Sequence, residues 1–152
     1  MQVRICSRQE IETLARQGFQ DRAAVISFYD EGREPLDLSG TNYDVFQVTV
    51  ENIGIEDLDK FGLTYKTYFP EAEELARFIF DARNDGLEII CQCERGQGRS
   101  AGCAAAIRQF FDGDGIEVFA NYNYFPNLLM YHKVYNSLIV ESFERGEIDC
   151  KY

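Results

Sequence analysis

Apolar and polar positions along the chain alternate in two rhythms, and together they predict a βα-type order. Residues 2–6 are a short apolar-rich run, read as a first strand. Ser7-Arg-Gln-Glu10 has the spacing of a capping box and opens a helix that turns Ile11, Leu14 and Ala15 inward. Gly18 is expected to end that helix, with Phe19 closing an apolar contact behind it. Ala23–Phe28 reads as a second, buried strand, 29–42 as a turn-rich surface loop, and Val45–Val50 as a third strand. Glu71–Arg83 repeats at helical period, with Leu75, Phe78, Ile79 and Ala82 on one side and Pro70 before it.

Leu87–Cys91 is a continuous apolar run of the kind found in a parallel strand buried on both faces. A loop containing Gly96 and Gly98 follows, then a helix of small residues over Ser100–Phe111. Asp112–Gly115 is a turn, 116–125 a short helix plus loop, and Pro126-Asn127 introduces a final helix over Leu128–Phe143. This order predicts an α/β fold of one domain spanning 1–152. Its central sheet is mostly parallel, of about four to five strands, with helices on both faces.

Strand, glycine loop and small-residue helix make an anion-binding arrangement. Loop amides and the helix N-terminus converge on one spot, where the helix dipole adds positive potential. Cys93 opens the loop and Arg99 closes it, with five residues between them. Inward amides lower a thiol's pKa and also bind the nonbridging oxygens of a phosphate. Arg99 offers a planar fork for two of those oxygens, and Ser100 places a hydroxyl near the sulfur. Amides and side chains of Glu94, Arg95, Gly96, Gln97, Gly98 and Arg99 are the candidate substrate-binding residues. No Lys-Ser/Thr follows the glycines, which excludes a Walker-type nucleotide loop.

Cys93-Glu-Arg-Gly-Gln-Gly-Arg99-Ser100 resembles the signature loop of the cysteine-dependent protein tyrosine phosphatases, Cys-x-x-Gly-x-x-Arg-Ser/Thr. Ser7 before the first helix, the segment Val-Thr-Val-Glu-Asn-Ile and the late Pro126-Asn127 helix also fall as in small bacterial, dual-specificity-like members. The family usually carries His directly before the cysteine, where this chain has Gln92. The resemblance implies a cysteine phosphatase acting on phosphate monoesters, phosphotyrosine or another phosphoprotein first, through a phosphocysteine intermediate and without cofactor or metal. It assigns Cys93 as nucleophile, Arg99 as oxyanion ligand and Ser100 as partner of the sulfur. An acid on a mobile loop should protonate the leaving group. Where relatives carry paired Asp after the third strand, this chain has Glu51-Asn52, so Asp57 ranks first for that role, then Glu51, then Asp59. The alternative is a catalytically weak phosphate- or phosphopeptide-binding module.

Composition narrows the partners. At 45% hydrophobic and 14% aromatic residues the chain supports a packed core, and its net charge of −11 disfavours nucleic acid and anionic membranes. The partner expected is therefore a phosphorylated protein or a small phosphate monoester. Glu94 and Gln97 stand where lipid-phosphate members carry lysines, which points away from phosphoinositides. Five scattered cysteines (Cys6, Cys91, Cys93, Cys103, Cys150) read as reduced thiols of a cytoplasmic protein. Cys91 and Cys93 are expected to face opposite sides of the sheet, and Cys91 and Cys103 to be buried apolar residues. His132 is expected to be a surface or packing residue of the last helix.

Overall fold

The computed structural model describes residues 2–17 and 21–147. Four strands, β1 (Val3–Cys6), β2 (Ala24–Tyr29), β3 (Asp44–Thr49) and β4 (Ile89–Gln92), form one sheet in the order β1-β4-β2-β3. All three pairings are parallel. Among the described residues five α-helices surround it: α1 (Arg8–Arg16), α2 (Ala72–Asn84), α3 (Arg99–Asp112), α4 (Ile116–Ala120) and α5 (Leu128–Glu144). The strand and helix order matches the βα pattern expected from the sequence. The long connection after β3 is not featureless, since it holds two short 3₁₀ turns, Ile55–Asp57 and Asp59–Phe61. Gly18, Phe19 and Cys150, invoked above, lie outside the described residues.

Strand alternation sorts side chains to two faces. Ala24, Ile26, Phe28, Ile89 and Cys91 join a large core with Leu75, Ile79 and Phe80 of α2, Cys103 and Ile107 of α3, and Met130 and Leu138 of α5. Cys6, Val25 and Ile90 turn the other way, against Ile11 of α1, Leu36, Leu38 and Tyr43. Helices therefore cover one face, while α1 and the 36–43 segment cover the other. Cys93 lies in the same core as Cys91, contrary to expectation. Positions two apart on an extended chain share a face, so Cys91 and Cys93 were bound to point the same way.

The alanines of α3 let that helix lie close to the sheet; Ala101, Cys103, Ala104, Ala105 and Ala106 are fully buried. Ser7 caps α1 as the sequence predicts: its hydroxyl accepts from the Glu10 amide at 3.1 Å, and Glu10 Oε1 accepts from the Ser7 amide at 3.0 Å. That cap sits beside the C-terminal end of β4, and there the chemistry of the chain is concentrated.

Candidate active site

β4 is an interior strand, flanked by β1 and β2, so its C-terminal end opens between the ends of two neighbours. Such an end is where open parallel sheets hold ligands. The chain leaves β4 at Gln92, enters the loop at Cys93 and starts α3 at Arg99. Backbone contacts tie the loop's carbonyls outward. Those of Glu94, Gln97 and Gly98 accept from the amides of Arg8 (3.2 Å), Phe125 (2.9 Å) and Asn127 (3.0 Å). With the carbonyls so engaged, the loop's N–H groups are left for the concave side.

Gly96 makes the turn at φ +67°, and a Cβ there would stand 2.6 Å from the Ser7 amide nitrogen. Only glycine satisfies both conditions. At Gly98 a Cβ would come within 2.9 Å of Asn52 Oδ1, so the segment after β3 rests directly on the loop.

Cys93 is 3% exposed and its Sγ lies 3.0 Å from Ser100 Oγ. Burial alone would push this thiol's pKa up. The Ser100 hydroxyl and the amides of Ser100, Gln97 and Gly98 hydrogen-bond the sulfur and outweigh burial, leaving the pKa below that of an ordinary cysteine. Beneath it, Gln92 occupies a wholly internal position, where the Ser27 hydroxyl of β2 donates to its Oε1. Glutamine thus braces the strand end from within the sheet without any ionisable group.

Arg99 is 4% exposed. Its Nη1 donates to the Val50 carbonyl at 2.7 Å and pairs with Asp30 Oδ1 at 2.8 Å. Its Nε is buried with no hydrogen-bond partner among the described residues. A buried guanidinium donor without an acceptor is costly, and an oxyanion above the loop is the group that would satisfy it.

The hollow over Cys93 has a volume of about 440 Å³ and is lined by Asp30, Asn52, Glu94, Arg95, Gln97, Gly98, Arg99 and Phe125. The sequence-nominated loop residues thus meet there, save Gly96, which shapes the turn from below, and Ser100, which is fully buried behind the Cys93 sulfur. The nominated acids do not line it. Asp57 sits in the first 3₁₀ turn and pairs with Lys60 at 3.3 Å, Asp59 lies in the second, and Glu51 offers its backbone carbonyl to the Tyr68 hydroxyl at 2.8 Å.

Three pocket residues, Asp30, Asn52 and Phe125, are not marked as site residues by the sequence. Asp30, in a stretch read as a surface loop, reaches the rim because β2 pairs with β4 in a register that sets Ser27 beside Gln92. Both segments then leave the sheet at the same C-terminal end. Phe125 reads in sequence only as part of an aromatic segment, yet its amide anchors the Gln97 carbonyl and its ring, 73% exposed, walls the hollow. The signal that could have found Asp30 was strand order, which no local pattern carries.

The chain matches no family model and no curated protein sequence. Solved structures do resemble it. DUSP15 shares 16% identity over 99% of this chain and 92% of that one, with a TM-score of 0.63. Human DUSP28 gives 16% identity over 93% and 94%, with a TM-score of 0.57. PTPMT1 gives 11% over 97% and 96%, with a TM-score of 0.54. All of these superpositions run over nearly the whole domain, so the resemblance is not confined to the loop. Four parallel strands with helices on both faces, and a cysteine loop at the end of an interior strand, thus give this chain the fold of the cysteine-dependent protein tyrosine phosphatases in its small, dual-specificity-like form.

Proposed function

We propose that the protein is a cysteine-dependent phosphatase that hydrolyses phosphate monoesters, phosphotyrosine or another phosphoprotein first, through a phosphocysteine intermediate. One observation carries the reading. A buried sulfur is ringed by the amides of Gln97, Gly98 and Ser100, and beside it stands a buried arginine whose Nε has no partner. In this mechanism the Cys93 thiolate attacks phosphorus in line while loop amides and the Arg99 fork hold the equatorial oxygens. Ser100, 3.0 Å from the sulfur, stabilises the thiolate again when water cleaves the phosphocysteine. The dipole of α3 adds to the positive potential at the phosphate.

Turnover of an aryl phosphate tests the reading. Cys93→Ser should reduce it to background while inorganic phosphate still binds. Unchanged turnover in that variant would overturn the assignment.

A second reading, a phosphate-binding module without efficient turnover, is favoured by the state of the pocket's carboxylates. Both Asp30 and Glu94 are ion-paired, to Arg99 and to Arg33. Phosphate binding without Cys93-dependent turnover in the unmodified protein would select it.

A further inference from the structure

Resting on the phosphatase reading, we infer that this site has no carboxylic acid for the leaving group and sorts phosphate esters by leaving-group basicity, with Asn52 at the position where a proton donor would stand. Among the described residues lining the hollow, only Asp30 and Glu94 carry carboxyl groups. Asp30 Oδ1 is 2.8 Å from Arg99 Nη1, and Glu94 Oε1 is 2.7 Å from Arg33 Nη2. Each points a carboxylate oxygen at a guanidinium and accepts from it, so neither is placed as a donor to a departing oxygen. Asp30 instead acts as a positioning residue. With the Val50 carbonyl it fixes Nη1, and so sets the edge of the guanidinium that carries the unpartnered Nε.

Asn52 stands over the loop, against Gly98, and is held there by Asn127, whose Nδ2 donates to Asn52 Oδ1 at 3.0 Å and to the Ile53 carbonyl at 2.9 Å. That hydrogen bond uses the amide oxygen and leaves Nδ2 of Asn52 as a donor. An amide can hydrogen-bond a departing oxygen but cannot protonate it.

The step is then simple to balance. Cys93 sulfur forms a bond to phosphorus as the ester P–O bond breaks, and the electron pair leaves with the oxygen as an anion. Water next attacks phosphorus, the S–P bond breaks and the thiolate is restored, both water protons remaining with the released dihydrogen phosphate. No carboxyl exchanges a proton in either half. The site therefore favours phosphates whose leaving group is a stable anion. Aryl phosphates with acidic phenols come first, then phosphotyrosine, whose phenol has a pKa of about 10. Phosphoserine and phosphothreonine, which would leave as alkoxides, are excluded.

The test is a leaving-group series on the full chain: 4-nitrophenyl phosphate, phenyl phosphate, a phosphotyrosine peptide and a phosphoserine peptide. A general acid contributes about 10²–10⁴-fold. Without one, kcat/KM should fall about 100-fold or more from the nitrophenyl to the phenyl ester. Asn52→Asp keeps an acceptor for Asn127 and installs a proton donor, and it should narrow that ratio by about 10-fold or more.

A nearly flat series in the unmodified protein overturns the proposal. So does a ratio unmoved by N52D in a variant that folds and binds phosphate normally. A flat series that steepens on D30N or D57N would also overturn it, and would identify that carboxyl as the donor. Absence of any Cys93-dependent turnover brings down the phosphatase reading itself, an outcome distinct from these.

Discussion

Replacing Ser100 with alanine removes one of the groups on the Cys93 sulfur and little else, since Ser100 is fully buried and alanine fits its volume. The hydroxyl lies 3.0 Å from the sulfur, while the amides of Gln97, Gly98 and Ser100 itself are unaffected by the change. A hydrogen bond to a charged group is worth about 1.5–3 kcal/mol. Sulfur's diffuse charge and the remaining amides place the loss at the lower end, about 1.5 kcal/mol, or roughly tenfold in the thiol–thiolate equilibrium. The sign follows from the lowered pKa: weakening the thiolate moves its titration to higher pH.

Alkylation by iodoacetamide as a function of pH reads this directly, with mass spectrometry reporting modification at Cys93. A more basic thiolate is intrinsically more nucleophilic, with a Brønsted slope of about 0.4–0.5, so tenfold less thiolate becomes only about threefold slower alkylation on the acidic limb. The midpoint carries the cleaner signal, and it should move alkaline. A Ser100→Ala protein with native circular dichroism and an unmoved midpoint would refute the claim that the hydroxyl stabilises this thiolate.

Cysteine reactivity and loop geometry supply two further tests. Burial, with Glu10 nearby, pushes the Cys6 thiol up to about 11, and the Cys103 hydrogen bond together with burial raises Cys91 well above an ordinary thiol. Of Cys6, Cys91 and Cys93, iodoacetamide at neutral pH should therefore modify Cys93 first, and inorganic phosphate should slow that reaction. Earlier labelling of Cys6 or Cys91 would contradict the electrostatic picture. Gly96→Ala combines a left-handed backbone with a Cβ 2.6 Å from the Ser7 nitrogen. It should cost about 2–4 kcal/mol of stability and abolish phosphate binding, and a variant melting with the unmodified protein would show that the loop yields more easily than its contacts suggest.

The sequence displays best those features whose cause is local. Ser7 and Glu10 form their capping box because each partner is three residues from the other, and α2 and α5 begin within a residue of their expected starts. The loop from Cys93 to Ser100 was readable for the same reason, its nucleophile, glycines and arginine being contiguous. The rim was another matter. Asp30, Asn52 and Phe125 come from three separate connections and meet only because β4 is inserted between β1 and β2. Asp57 was favoured because it lies in the loop after β3, but the 3₁₀ turn there closes locally and gives its carboxylate to Lys60. The paired faces of Cys91 and Cys93 needed only the two-residue repeat of a strand.

Asn127 bears a load out of proportion to its size. Its side-chain oxygen accepts from the Met130 amide and so starts α5, its amide nitrogen grips Asn52 and Ile53, and its backbone N–H holds the Gly98 carbonyl. Three parts of the chain remote in sequence are thereby fastened at one joint. Local opening at that joint would release the phosphate cradle and the first turn of the last helix together, so protection of those amides against hydrogen exchange should rise in concert when an oxyanion occupies the loop.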